Sequence, residues 1–387
     1  MKVALVSTGT GHVWRGFERF STDFFHLMKE EFDITLFKGG GSETEREVVV
    51  PHLRRNGLLS RMPFICSNSY RNPLYFEGLS YLLALLPRLI REEYDLVHYS
   101  AVPFENFLYH LKTKLKLKIP FKLLNTNGSS TVGQNLHRID FLHEITPFAS
   151  KNVIDFGIPP EKVFAIPSAL HTAKFKRRSD RDSLRAKYGV PKDKRVVLSV
   201  AALNRVHKRT DYLIKEVAKL GKEYFLLMAG PVEDASLIPL AEELLGERFK
   251  FFHLPFEDAD GIYSLADIFT VCSLEEGFCL AFVEAMSAKL PVVAHASPHF
   301  DWLIGDERCL IDMSVEDNLA RKIEEVLSGG KELEEILHSN YDRAIRRFDW
   351  SVLKDRYVDM YERISNVSGK APDKVFFQLS ASQVELS

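Results

Sequence analysis

Cysteine is scarce in this chain: four residues among 387, Cys66, Cys272, Cys279 and Cys309, with no paired spacing. That scarcity excludes a disulfide framework, and without a His/Cys cluster at ligand spacing it excludes a zinc finger or ribbon. Two of the four sit in apolar runs and read as small core residues, which suits a reducing, cytoplasmic setting. Long apolar runs are missing as well. The nearest approach to the roughly 18 uninterrupted apolar residues of a membrane span is LSYLLALLPRLI, broken by Pro87 and Arg88. The opening MKVALVSTG stops at Ser7, too short for a signal-peptide core, and reads as a first strand. Strong charge of one sign is also lacking: the net charge is -2, so nucleic acid is not an expected partner. No solenoid repeat, low-complexity tract or G-x-S-x-G nucleophile motif is present. After the first strand, GTGHVWRG departs from the G-x-G-x-x-G frame, which argues against a nicotinamide-dependent dehydrogenase.

What is present is the composition of a soluble globular protein, 45% hydrophobic and 27% charged, with 28 phenylalanines for the core. A chain of this length is expected to form two domains. Short β-branched or aromatic runs alternate with amphipathic segments throughout, the rhythm of βα units on parallel sheets. VALVS, DITLFK, DLVHYS, FKLLNT, HEITPF and VFAIPS are the strand candidates of the first half. RVVLSVAAL, YFLLMAG, FKFFHL, IFTVCS, PVVAHA and CLIDM are those of the second. Residues 171–194, rich in charge and poor in apolar side chains, read as a linker with a surface helix. The expected fold class is therefore α/β, two Rossmann-like doubly wound domains facing across a cleft. Residues 1–172 would form the first, 173–348 the second, 349–368 a closing helix and 369–387 a polar tail. Ligands of such sheets bind at the carboxyl ends of the strands.

The stretch SLEEGFCLAFVEAMSAKLPVVA carries Glu276 and Glu284 with seven residues between them. The run IFTVCS before it and PVVAH after it read as strands, and a helix is expected to begin near Leu280. Free backbone N–H groups at such a helix start, together with its dipole, favour a phosphate, and Gly277 allows close approach. Glu276 would lie on the loop and Glu284 one turn into the helix. A carboxylate amid LAFVEAMSA would be costly without a partner, so both acids are candidates to accept hydrogen bonds from sugar hydroxyls. A nucleotide sugar satisfies both halves of this site.

EGFCLAFVEAMSAKLPVVA resembles, nearly throughout, the E-G-F-x-L-x-x-x-E-A-x-x-x-G-x-P-V-V-A motif of retaining glycosyltransferases of the GT-B fold, family 4. The similarity runs from KVALVS to FDWSVLKDRYVDMYERI, which looks like the closing helix that crosses back to the first domain in that family. The resemblance implies transfer of a sugar from a nucleotide diphosphate donor to a hydroxyl acceptor with retained configuration. The acceptor would be a glycan, a lipid-linked sugar or a small molecule. It implies that Glu276 contacts the donor sugar and Glu284 the ribose, that Lys208 in ALNRVHKRTDYLI binds the diphosphate, and that the amides of Gly277, Phe278, Cys279 and Leu280 cradle it. Gly16 would permit a close backbone approach to donor or acceptor and is placed among the donor-binding residues; His98, at the end of DLVHYS, would touch sugar or acceptor; Asn127 and Gly128 would border the acceptor pocket. Similar sequences carry an arginine six residues before the lysine, where Ala202 stands here, so Arg205 or Arg209 is expected to supply the charge. No obligatory metal is expected. Asp258 and Asp260 form a D-x-D that reads as a helix cap. The basic run KTKLKLKIPFK, 112–122, reads as a solvated helix end, with contact to an anionic membrane face as the alternative. The competing functional reading is a nucleotide-sugar-binding protein whose transfer activity is lost or altered.

Overall fold

The computed structural model describes residues 1–13, 16–54, 57, 73–100, 102–114, 116–128, 139–252 and 259–367. Asp258, of the D-x-D, and Cys66 lie outside these residues. The chain forms two parallel sheets. In the first, β1 (Lys2–Ser7), β2 (Asp33–Lys38), β3 (Glu47–Val49), β4 (Leu96–Tyr99), β5 (Lys122–Asn127), β6 (Phe141–Glu144) and β7 (Val163–Ala165) take the order β3-β2-β1-β4-β5-β6-β7. Helices α1 (Gly16–Met28), α2 (Pro73–Arg91), α3 (Val102–Lys114) and α4 (Pro147–Asp155) connect them.

After α5 (Arg181–Tyr188) the second sheet is built from β8 (Arg195–Val200), β9 (Tyr224–Ala229), β10 (Phe249–Phe252), β11 (Ile268–Thr270), β12 (Val292–His295) and β13 (Leu310–Ile311), in the order β10-β9-β8-β11-β12-β13. Its helices are α6 (Thr210–Lys219), α7 (Leu237–Leu245), α8 (Ala259–Ile262), α9 (Leu280–Ser287), α10 (Pro298–Ile304), α11 (Asn318–Ser328) and α12 (Lys331–Phe348). Strands buried on both faces read as continuous apolar runs such as YFLLMA, every residue of which is buried. Both sheets reverse direction of winding at one place, between β1 and β4 and between β8 and β11. Such switch points open a crevice at the strand carboxyl ends.

Two expectations are corrected. HEITPF does not continue as a strand: β6 stops at Glu144, and Thr146 caps α4 by accepting from the Ala149 N–H, with Pro147 in the first turn. The charged 171–194 segment is more than a linker. Arg185 of α5 is buried and donates to the Leu265, Pro191, Lys192 and Lys194 carbonyls and to Asp267. A guanidinium can be buried this way because its donors all find acceptors.

The last helix, α13 (Trp350–Asn366), packs onto the first sheet. Trp350, Leu353, Tyr357, Met360, Tyr361 and Ile364 are buried against Phe20, Phe24, Leu96 and Leu124. At roughly 1.5–3 kcal/mol for each large apolar side chain, this face contributes a substantial part of the first sheet's stability. The chain changes halves twice, and the crossings run side by side. The Leu170 N–H donates to the Phe348 carbonyl, the Trp350 N–H donates to the Leu170 carbonyl, and Thr172 donates twice to the Asp349 carboxylate.

Candidate functional site

Lys208 and Glu276 come from the two loops that flank the second switch point, one between β8 and α6 and the other between β11 and α9. The first loop is shaped by Asn204, whose side-chain oxygen accepts from the N–H groups of His207 (2.9 Å) and Lys208 (2.8 Å). This local turn aims the lysine across the crevice. Its Nζ donates to Glu276 Oε1. His207 approaches the other carboxylate oxygen at 3.7 Å and reaches the Glu275 carbonyl at 3.1 Å. Glu276 is buried, 8% exposed.

Cys279 is the residue that turns the loop into α9, with φ 71 and ψ 71, a left-handed conformation unusual for a side chain with a Cβ. Such strain at a loop apex marks places where backbone direction matters. Among the described residues no acceptor faces the backbone N–H groups of Gly277, Phe278, Cys279 or Leu280. They follow Glu276 directly in the chain, at the positive end of α9. Phe278 anchors the loop, packing edge-on to Trp302 and Phe348, and its carbonyl meets His299 Nε2 at 3.2 Å. Burial pushes the Cys279 thiol up to about 12, so it stays protonated and unreactive at neutral pH.

Glu284 lies on the buried side of α9 and is joined to the first sheet's domain. Arg19 of α1 approaches Oε1 at 3.2 Å, and the Tyr263 hydroxyl donates to Oε2. Burial raises the Glu284 pKa, while the Arg19 charge and the Tyr263 hydrogen bond oppose that rise. Arg19 is itself held over the Phe175 ring at 4.6 Å. Gly16 stands one turn earlier on α1, and a Cβ placed there would meet Leu280 Cδ1 at 3.3 Å. The starts of α1 and α9 therefore meet across the crevice, with Gly16 supplying the room.

Three expected site residues are engaged elsewhere. His98 lies within the first domain's core, with Nδ1 2.7 Å from the Tyr361 hydroxyl and Nε2 2.6 Å from the Thr126 hydroxyl. Burial depresses its pKa well below the usual imidazole value. It braces β4 against α13 and does not reach the crevice. Arg205 is taken up by Asp234 at 2.9 Å and Ser236 at 3.0 Å, and Arg209 by the Met313 carbonyl at 2.7 Å. Both guanidiniums are thus engaged away from Glu276, and His207 is the second nitrogen-bearing side chain that approaches it. On the acceptor side, Asn127 donates to Glu144 at 3.1 Å, and Gly128 has open space where a Cβ would be. Glu144 was not singled out in the sequence. It is buried at the carboxyl end of β6, where loss of water raises its pKa to about 8 despite the Asn127 hydrogen bond.

The comparisons with known proteins agree with this geometry. Residues 180–343, which contain Lys208, Glu276, Glu284 and the amides between them, match the family model "Glycosyl transferases group 1". A D-inositol 3-phosphate glycosyltransferase of Mycolicibacterium smegmatis is 30% identical over 194 residues, 47% of this chain and 43% of the relative. The chain thus spans less than half the length of that curated relative. The whole architecture resembles sucrose-phosphate synthase from Thermosynechococcus elongatus, with a TM-score of 0.76, 18% identity, and 95% of this chain and 100% of that one covered. It also resembles Anabaena HepE, solved in complex with UDP and glucose, with a TM-score of 0.73, 17% identity, and 95% and 100% covered. Two doubly wound sheets in this arrangement are the GT-B fold, and the residues that match the group 1 model lie in its second half.

Proposed function

We propose that this chain is a retaining glycosyltransferase that moves a sugar from a nucleoside diphosphate donor to a hydroxyl acceptor. The observation that carries the reading is the Lys208–Glu276 ion pair set beside four acceptor-free amides at the start of α9. A diphosphate carries the charge those amides and the Lys208 ammonium favour. An ammonium has three donors, so Lys208 can hold a phosphate oxygen and Glu276 together. In this reading Glu276 accepts from hydroxyls of the donor sugar, Glu284 from the ribose, and Asn127 and Gly128 border the acceptor. As the glycosidic bond breaks, negative charge grows on the departing diphosphate, and the fixed amides and lysine stabilise it without reorganising. HepE, whose structure contains UDP and glucose, supports a nucleotide sugar as the donor class.

The exposed basic segment Lys112, Lys114, Lys116 and Lys118 supports peripheral contact with an anionic surface when the acceptor is lipid-linked. No helix among the described residues is long and apolar enough to cross a membrane.

Thermal melting against a panel of nucleoside diphosphates and their sugars is the direct test, because a ligand of the folded state raises the midpoint. A shift with one diphosphate, abolished in Lys208→Ala, supports the reading; no shift with any donor defeats it. A second reading, nucleotide-sugar binding without transfer, is favoured by the engagement of Arg205 and Arg209 elsewhere. It predicts the same melting shift but no nucleoside diphosphate release in the presence of acceptor mixtures.

A further inference from the structure

The first domain contains a cluster for which sugar transfer has no evident use. His12 lies in the loop between β1 and α1, His52 just after β3, and Glu77 in the first turns of α2. One ligand atom from each of the three can be chosen so that all lie within 4.8 Å of one another. His12 Nε2 is 3.2 Å from Glu77 Oε1, and His52 Nε2 is 3.9 Å from the same oxygen. The side chains are almost closed to solvent, 7% exposed for His12, 2% for His52 and 0% for Glu77.

The tautomer of His52 is fixed by its other nitrogen. Nδ1 lies 2.8 Å from the Val50 carbonyl, which can only accept, so the proton is on Nδ1. In the neutral ring Nε2 then presents a bare lone pair. That atom is buried without a hydrogen-bond partner, as is His12 Nδ1. A lone pair facing a carboxylate oxygen across 3.9 Å, too far for a hydrogen bond, is an arrangement that a cation between them would relieve. An imidazole that donates its far N–H to a backbone carbonyl is also the orientation that metal-binding histidines adopt. The support extends outward: the Leu53 N–H donates to Ser80 Oγ at 3.0 Å, and that hydroxyl donates to the Glu77 carbonyl at 3.0 Å. The segment bearing His52 is thereby fixed to the helix bearing Glu77.

We propose that His12, His52 and Glu77 bind a divalent transition cation of the zinc class. Two imidazoles and one carboxylate suit Zn2+, whereas Mg2+ and Ca2+ prefer all-oxygen sites. Bonds of about 2.0–2.1 Å put tetrahedral ligand atoms roughly 3.3 Å apart, a spacing the His12–Glu77 pair already has. The remaining position falls to water or to a ligand. The bound ion ties the β1–α1 loop, which leads to Gly16 and the contact with Leu280, onto α2. These residues span 65 positions of sequence, so ligand spacing did not reveal them, and none of the three comes from the loops that carry Lys208 and Glu276. The absence of an obligatory metal expected for the transfer step is therefore a separate matter.

The test uses the full chain, stripped by dialysis against a chelator and reloaded with Zn2+ or Co2+ alone. One equivalent bound at micromolar or tighter affinity, a raised melting temperature, and a Co2+ visible spectrum of nitrogen and oxygen ligation are expected. A tenfold excess of Mg2+ or Ca2+ should not displace the ion. His52→Ala and Glu77→Gln should each weaken binding at least tenfold, and Glu77→Gln keeps the side-chain shape, so it serves if His52→Ala does not fold. No binding by the folded wild-type chain, sulfur-to-cobalt charge-transfer bands, or unchanged stoichiometry and affinity in folded Glu77→Gln would each overturn the assignment. The readouts are independent of sugar transfer.

Discussion

Replacing Lys208 with Ala removes the ion-pair partner of a buried carboxylate and the charge proposed to face the diphosphate. The turnover number should fall on the order of 10²–10³-fold, the range for loss of one preorganised electrostatic group, with nucleoside diphosphate affinity falling as well. Glu276→Gln should reduce turnover while sparing diphosphate affinity, and steady-state kinetics beside calorimetry separates the two. Glu144 gives a prediction in pH. Its folded pKa of about 8 lies above the usual carboxylate value, so between about 4.5 and 8 the folded state holds a proton that the unfolded state has lost. Its contribution is complete below that window and disappears as pH rises through it, by up to about 1.4 kcal/mol per pH unit. Wild type should lose stability relative to Glu144→Gln as pH rises from 5 to 8; parallel melting curves for the two would refute the shift. At this scale the glutamate pair was legible because one contiguous segment carries both acids and the amides between them. Glu144 was not, since its character comes from burial by distant segments. His98 was misread for a related reason: its place near the end of β4 suggests the crevice, but its side chain faces α13, which lies more than 250 residues later in the chain.

At the level of elements, α13 was expected to cross back to the first domain, and the aromatic spacing of its sequence fits the buried stripe Trp350, Tyr357 and Tyr361. The strand centres were similarly legible from apolar runs, while several ends were placed too late. IFTVCS, for example, pairs only through Ile268–Thr270, because buried loop residues after it are as apolar as the strand. The short strand β3 (EVV) was missed, its three residues offering too little pattern to distinguish it from a loop. Tyr361→Phe leaves His98 Nδ1 without its buried partner and should cost about 1–3 kcal/mol, read as a lowered denaturation midpoint. Diphosphate affinity should be unchanged, whereas a specific loss of donor or acceptor binding would return His98 to the site. The Gly16–Leu280 approach belongs to this scale as well. Gly16→Leu would wedge α1 from α9 and should lower turnover on the order of 10²-fold by misplacing the two halves. Diphosphate binding, assigned to the second half alone, should persist.

For the molecule as a whole, the Arg19–Glu284 contact is a charged link between the halves, beside the two adjacent crossings of the chain, the Gly16–Leu280 approach and the Phe148–Trp302 ring contact. Arg19→Ala leaves Glu284 buried with Tyr263 as its remaining described partner, a costly state, and should favour an opened arrangement. Small-angle scattering should show a larger radius of gyration for the variant; an unchanged radius would mean that the link does not hold the halves together. The doubly wound architecture was legible in the sequence because each βα unit announces itself locally. This cross-domain pairing was not, since it depends on how two independently patterned surfaces meet. The docking of α13 also bears on biosynthesis. A ribosome completes the first sheet at Ala165 well before it makes residues 350–366, so the part of that sheet's apolar side that α13 covers must wait, uncovered, through synthesis of the second half. The half translated first is thus completed last, and a nascent chain halted before Trp350 should depend on chaperones to avoid aggregation.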